Sequence, residues 1–108
     1  MQHAGLASGR WKTLSLTEQL AHIGSEFSRA LRAYKIQNSS RFEAARIRML
    51  ELMGLSLSDP RWILTQRREI ARLKEHILTH FETTDASSND LDSLERYFEY
   101  FTIADRKR

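Results

Sequence analysis

Residues 15–35 read SLTEQLAHIGSEFSRALRAYK, and this stretch decides the fold. Ser15-Leu-Thr-Glu18 has the form of a capping box, in which the Ser15 hydroxyl accepts from the backbone N–H three residues on and Glu18 reaches back. Leu16, Leu20, Ile23, Phe27, Leu31 and Tyr34 then follow at spacings of four, three, four, four and three. Such spacing lays one apolar stripe along a helix and predicts helix from Leu16 to about Lys35. Gly24 lies beside the stripe, where it costs about 1 kcal/mol relative to Ala. Its presence points either to a neighbouring backbone passing close or to a tolerated accident.

Working outward, the same reading repeats three times. Asn38-Ser-Ser40 is a polar break, and Ser40-Arg-Phe-Glu43 has the form of a second capping box. Phe42, Ala45, Met49, Leu52 and Met53 form the inward face of a second helix, with Gly54 expected just past its end. Asp59-Pro60 is expected to open a third helix, Asp as N-cap and Pro as first helical residue. Ile63, Ile70, Leu73, Ile77 and Phe81 would lie within about 80° on its wheel and carry it to about residue 82. The polar run Thr83–Asn89 reads as a loop. A last helix begins near Asp90, with Leu91, Leu94, Phe98 and Phe101 as its stripe and acids in its first turns, at the positive end of the helix dipole. No alternating strand pattern occurs. The prediction is all-α, an antiparallel four-helix bundle over residues 11–105, between a flexible tail (1–10) and a basic tail (106–108).

The chain has 108 residues, which suits a single domain because a second core would have too few residues to bury. No apolar run approaches the roughly 20 residues that span a bilayer, and the first 25 lack a signal-peptide core. A cytoplasmic setting is the expectation. Without cysteine, disulfides, thiolate metal sites and cysteine nucleophiles are excluded. His76 and His80 stand four apart on the third helix, but zinc needs further ligands and the H-E-x-x-H order is missing. A di-iron bundle needs Glu three residues before His, which occurs nowhere here. The glycines, at 5, 9, 24 and 54, form no phosphate loop, and Ser25 or Ser28 beside His22 makes no hydrolytic arrangement. The expectation is a protein without catalytic residues, metal or cofactor.

Charge is distributed unevenly. Residues 1–72 carry 12 cations against 6 anions, whereas residues 73–108 carry 5 against 8. All seven cations between 41 and 72 are Arg, which pairs bidentately with phosphate and therefore suits a nucleic-acid backbone; it equally suits salt bridges to Glu43, Glu51 and Glu69. On the expected third helix Arg61, Arg68 and Arg72 fall within about 40° of one another, opposite the apolar stripe. Arg29, Arg32 and Lys35 cluster on the first helix, and Arg41, Arg46 and Arg48 on the second. Arg29, Arg32, Arg61, Arg68 and Arg72 are the candidate nucleic-acid contacts. Trp11 and Trp62 could stack on bases, although Trp62 falls on the inward arc and suits the core.

Apolar residues also exceed what the core faces need. Leu64, Ala71 and Leu78 form a second stripe, Ile47 and Leu50 point away from Phe42 and Met49, and Tyr97 and Tyr100 widen the last stripe. A peripheral helix needs an apolar arc of only about 100°. Ile47, Leu50, Leu64, Leu78, Tyr97 and Tyr100 are thus candidate partner-interface residues, in a homo-oligomer or against another protein. The alternatives are a wide core arc and ordinary scattered exposure.

The segment from Leu14 to Ala30, with Arg41-Phe-Glu-Ala-Ala45, Leu50-Glu-Leu-Met53, Asp59-Pro-Arg-Trp62, Arg68-Glu-Ile-Ala-Arg-Leu-Lys-Glu75 and Tyr97-Phe-Glu-Tyr-Phe101, resembles a family of short prokaryotic helical proteins. Members carry Val at the position of Phe27 and a longer insertion before the last helix. The family offers no catalytic residues to transfer, so the resemblance implies a compact helical protein and nothing more. A looser analogy, of fold alone, is to the four-helix bundles encoded in ribosomal RNA intervening sequences and to retroelement accessory bundles. The sequence expectation is therefore a non-enzymatic accessory bundle that self-associates and binds nucleic acid or a nucleic-acid enzyme. The alternative is an adaptor docking through its apolar faces.

Overall fold

The Ser15 capping box starts the first long helix. In the computed structural model, which describes residues 9–82 and 88–106, Ser15 Oγ accepts from the Glu18 N–H at 3.1 Å. Glu18 Oε1 accepts from the Ser15 N–H at 3.0 Å. The helix α1 (Leu16–Lys35) follows a single 3-10 turn at Trp11–Thr13 and buries Leu20, Ile23, Phe27 and Leu31, the predicted stripe. It ends on Gln37, whose φ of 59° is left-handed, and the N–H groups of Gln37 and Asn38 return to the carbonyls of Tyr34 and Ala33. That is a Schellman closure with Gln where Gly is usual.

The next helix, α2 (Ser39–Leu57), differs from expectation at both ends. Its N-cap is Asn38, whose Oδ1 accepts from the Arg41 N–H at 3.1 Å, so Ser39 and Ser40 are already helical and the Ser40 box is not its start. Nor does Gly54 stop it. Half-buried Leu55 and buried Ser56 hold the chain against the core for one more turn, and the Gly54 carbonyl accepts from the Ser58 N–H.

Asp59-Pro60 forms a turn and does not open the third helix, α3 (Leu64–Glu82). The Asp59 carboxylate is claimed by Arg61 and Gln19, so it does not cap. Gln66 Oε1 instead accepts from the Ile63 N–H at 2.9 Å, and Ile63, expected inward, is exposed. Ile70, Ile77 and Phe81 are buried as predicted. The last helix, α4 (Ser88–Arg106), starts two residues earlier than expected and takes in Arg106. Of the expected loop and tails, residues 83–87, 1–8 and 107–108 lie outside the described residues.

The four helices form an antiparallel bundle, with no strand among the described residues. Lys35 at the end of α1 pairs with Asp92 near the start of α4 at 2.8 Å. Tyr34, Phe42 and Phe81 from α1, α2 and α3 meet at the same end with ring centroids 5.0–5.7 Å apart. Helix α1 packs closely on α2 and α4. Helix α3 closes the square more loosely and sits diagonally from α1. At Gly24 the close neighbour is a side chain, not the backbone considered from sequence: a Cβ there would lie 2.6 Å from Phe98 Cβ. Among the described residues no helix is long and apolar enough to cross a membrane.

Candidate functional site

Two polar constellations stand out, at opposite ends of the α1–α2 pair. The first is buried beneath the α2–α3 turn. Gln19 is its hub: Nε2 donates to the Trp11 carbonyl at 3.0 Å and to Asp59 Oδ2 at 3.1 Å. Its Oε1 accepts from Ser56 Oγ at 2.8 Å and from Trp62 Nε1 at 3.0 Å. Trp11 Nε1 donates to Ser56 Oγ, and Arg61 donates to both Asp59 oxygens and to the Leu14 carbonyl. Gln19, Ser56 and Asp59 have no solvent exposure. The Arg61 hydrogen bond holds the Asp59 carboxyl well below the usual carboxylate range; burial opposes it, and the Arg61 N–H and Gln19 add to it. Arg67 Nη2 joins by donating to the Asp59 carbonyl, while its buried Nε has no partner among the described residues.

Nearly every polar group here is matched, which is the character of a structural tie. It engages three of the residues singled out from sequence, Arg61, Trp11 and Trp62. Arg61 is committed to Asp59 and to Leu14, and its guanidinium lies 4.3 Å from the Trp62 ring centroid. Trp11 is buried and cannot stack on a base, whereas half-buried Trp62 donates its indole N–H to Gln19 and carries the Arg61 guanidinium beside its ring.

The second constellation is a groove between the C-terminal half of α1 and the N-terminal half of α2. Arg29, Arg32, Arg41 and Arg48 line it above a floor of Ala33, Ala44 and Ala45, with exposed Ile36 at its edge, enclosing about 370 Å³. The antiparallel hairpin explains the meeting: i,i+3 arginines on one helix face i,i+7 arginines on the other. Beneath them the Glu26 carboxylate, 5% exposed, accepts from Arg29 Nη1 at 2.9 Å and Arg48 Nε at 3.0 Å. Arg32 and Arg41 make no ion pair among the described residues. These four guanidinium groups and the Glu26 carboxylate together carry three net positive charges.

The five candidate arginines therefore do not share one face. Arg29 and Arg32 border the groove, Arg61 is exposed at the α2–α3 turn with its guanidinium held by Asp59, and Arg68 and Arg72 are exposed on α3, diagonally across the bundle. Arg41 and Arg48 complete the groove. Their signal was present in the sequence as a cationic cluster on the second helix, but only the hairpin geometry selects them. Glu26 and Gln19 gave no spacing signal, since each is a polar residue beside an apolar stripe.

The apolar candidates are also dispersed. Leu64, near the start of α3, and Tyr100, towards the end of α4, are 62% and 68% exposed at one end of the bundle, where Ile63 and Ile103 are exposed too. Ile47 is exposed on α2, whereas Leu50 and Leu78 are half-buried. Tyr97 Oη donates to Glu69 Oε1 across α3 and α4 at 3.3 Å, and burial, with Glu69 adding, pushes its phenol up. His76 and His80 stack with centroids 4.6 Å apart, and among the described residues no three His, Asp or Glu come together to hold a metal.

No family model, curated protein or solved structure matches this chain.

Proposed function

We propose that this chain is a non-enzymatic helical-bundle accessory protein of the cytoplasm that binds a nucleic-acid backbone through the α1–α2 arginine groove. The observation that carries the reading is the convergence of Arg29, Arg32, Arg41 and Arg48 on one concave surface, where Glu26 pairs with two of them. Guanidinium groups recognise phosphate bidentately, and a small-residue floor lets a strand approach. Glu26 ties Arg29 on α1 to Arg48 on α2, which reduces the conformational freedom those side chains lose on binding.

The test is fluorescence anisotropy with a labelled single-stranded oligonucleotide across a salt series. Three net charges give a log K against log salt slope of about −2 for a single strand. Arg41→Gln should weaken binding and flatten that slope by about 0.7. Arg68→Gln, on the far side of the bundle, should change little. Binding indifferent to salt and to Arg41→Gln refutes the reading.

A second reading, a protein–protein adaptor, draws on the exposed Ile63, Leu64 and Tyr100 at the far end of α3 and α4. The two readings use different surfaces. Self-association through this end leaves the groove open.

A further inference from the structure

Arg29 and Arg32 border a second cleft as well. On the other side of the α1 ridge, between α1 and α4, lies a hollow of about 490 Å³ lined by Ser25, Ser28, Glu99, Thr102 and Ile103 over Gly24 and Phe98. Its size falls in the range of sites for small organic groups. Its polar groups are uncommitted: Ser28, Thr102 and Glu99 have no hydrogen bond or ion pair among the described residues. A helical Ser commonly bonds back to the carbonyl four residues earlier, as Ser25 does to Ala21 at 3.2 Å. Ser28 does not, so its hydroxyl can both donate and accept.

Resting on the function proposed above, we propose that the α1–α4 cleft is a base subsite for an unpaired nucleotide whose phosphates lie in the α1–α2 groove. The two hollows share Arg29 and Arg32, so one nucleotide can straddle the ridge, phosphate on one side and base on the other. Ser28 and Thr102 hydroxyls match either kind of base edge, and the Glu99 carboxylate accepts from an exocyclic amino group. Exposed Ile103 at the rim supplies an apolar edge for the base. A base held in a duplex cannot enter such a side cleft, because its edge is already paired and its face stacked. The ligand class is therefore single-stranded nucleic acid.

The test compares a short mixed-sequence strand with an abasic strand of the same length and charge, in both RNA and DNA form, on the full chain. The base-bearing strand should bind about tenfold tighter, the worth of two modest hydrogen bonds. Ser28→Ala combined with Thr102→Val alters no charge and should erase that gap, leaving abasic-strand and duplex affinities unchanged. Ser28→Ala alone should close part of it, and circular dichroism confirms the fold of each variant. A gap of similar size in RNA and in DNA supports the base subsite, because the two strands of each pair carry the same sugar and differ only in the base. Equal binding of the two strands, or a gap that survives both substitutions, also overturns the base subsite while the backbone reading stands. Failure of every strand to bind overturns that reading, and the subsite with it.

Discussion

Replacing Gly24 by Ala sets two effects of opposite sign against each other. Helix propensity favours Ala over Gly at an interior position by about 1 kcal/mol. Against that, the new methyl carbon would lie 2.6 Å from Phe98 Cβ, 2.9 Å from its Cγ and 3.0 Å from Cδ1. Carbon atoms settle at roughly 3.5–4.0 Å, so α4 or the Phe98 ring must retreat by about 1 Å. Phe98 has little room to do so, being 2% exposed and packed 5.3 Å from the Phe27 ring. Overpacking of this kind costs about 2–3 kcal/mol. The net expectation is destabilisation by about 1–2 kcal/mol, or a fall in Tm of roughly 4–10 °C for a domain of this size. Gly54→Ala is the matched control: it too lies within a helix, yet nothing stands within 4 Å of its added Cβ. It should stabilise by about 1 kcal/mol. Urea unfolding followed by circular dichroism measures both. A Gly24→Ala protein as stable as the parent would refute the close approach of α1 and α4.

Asp59→Asn should destabilise the fold by about 2–3 kcal/mol in urea, less than for a fully buried pair because Arg61 is partly exposed; a loss below about 1 kcal/mol would contradict the network. The same carboxyl sets an acid limb. Its folded pKa lies below the unfolded value, so its contribution is complete above about pH 4 and is lost as pH falls towards the folded value. The Asn variant should have a flatter stability profile there. Leu64→Glu should lower the apparent mass in light scattering if the exposed α3–α4 end mediates self-association, with helical content unchanged; an unaltered oligomer argues against that end. Gln37→Gly, at φ 59°, should stabilise the α1–α2 turn by about 0.5–1 kcal/mol.

The helices were legible in the sequence because burial imposes a 3.6-residue period, and the stripes of α1 and α4 appear in the structure as read. Boundaries were misread wherever a side chain had two possible employers. Asp59-Pro60 has the chemistry of a helix start, yet Gln19, forty residues earlier, and Arg61 take the carboxylate. Gly54 has the chemistry of a stop, but burial of Ser56 carries the helix past it. Such long-range competition leaves no periodic trace. Half of the groove was legible for the opposite reason: Arg29 and Arg32 stand out by spacing alone. Arg41 and Arg48 became their partners only once the α1–α2 turn fixed which faces meet, and that same geometry detached Arg68 and Arg72.

The looser seating of α3 gives the molecule an uneven free-energy profile. Only Ile70, Ile77 and Phe81 of α3 are buried, whereas α1 buries nine of its residues. Helices held by few apolar contacts open locally well below the global unfolding free energy. Arg67 and Trp62 tie the start of α3 to the Asp59–Gln19 network, and Phe81 holds its other end against Phe27, Tyr34 and Phe42, so α3 lifts as a unit and its amides should exchange faster than those of α1. The groove lies wholly on α1 and α2, the pair that stays folded during these excursions. A strand bound there remains bound while α3 lifts, and the openings transiently uncover an apolar seam elsewhere on the molecule.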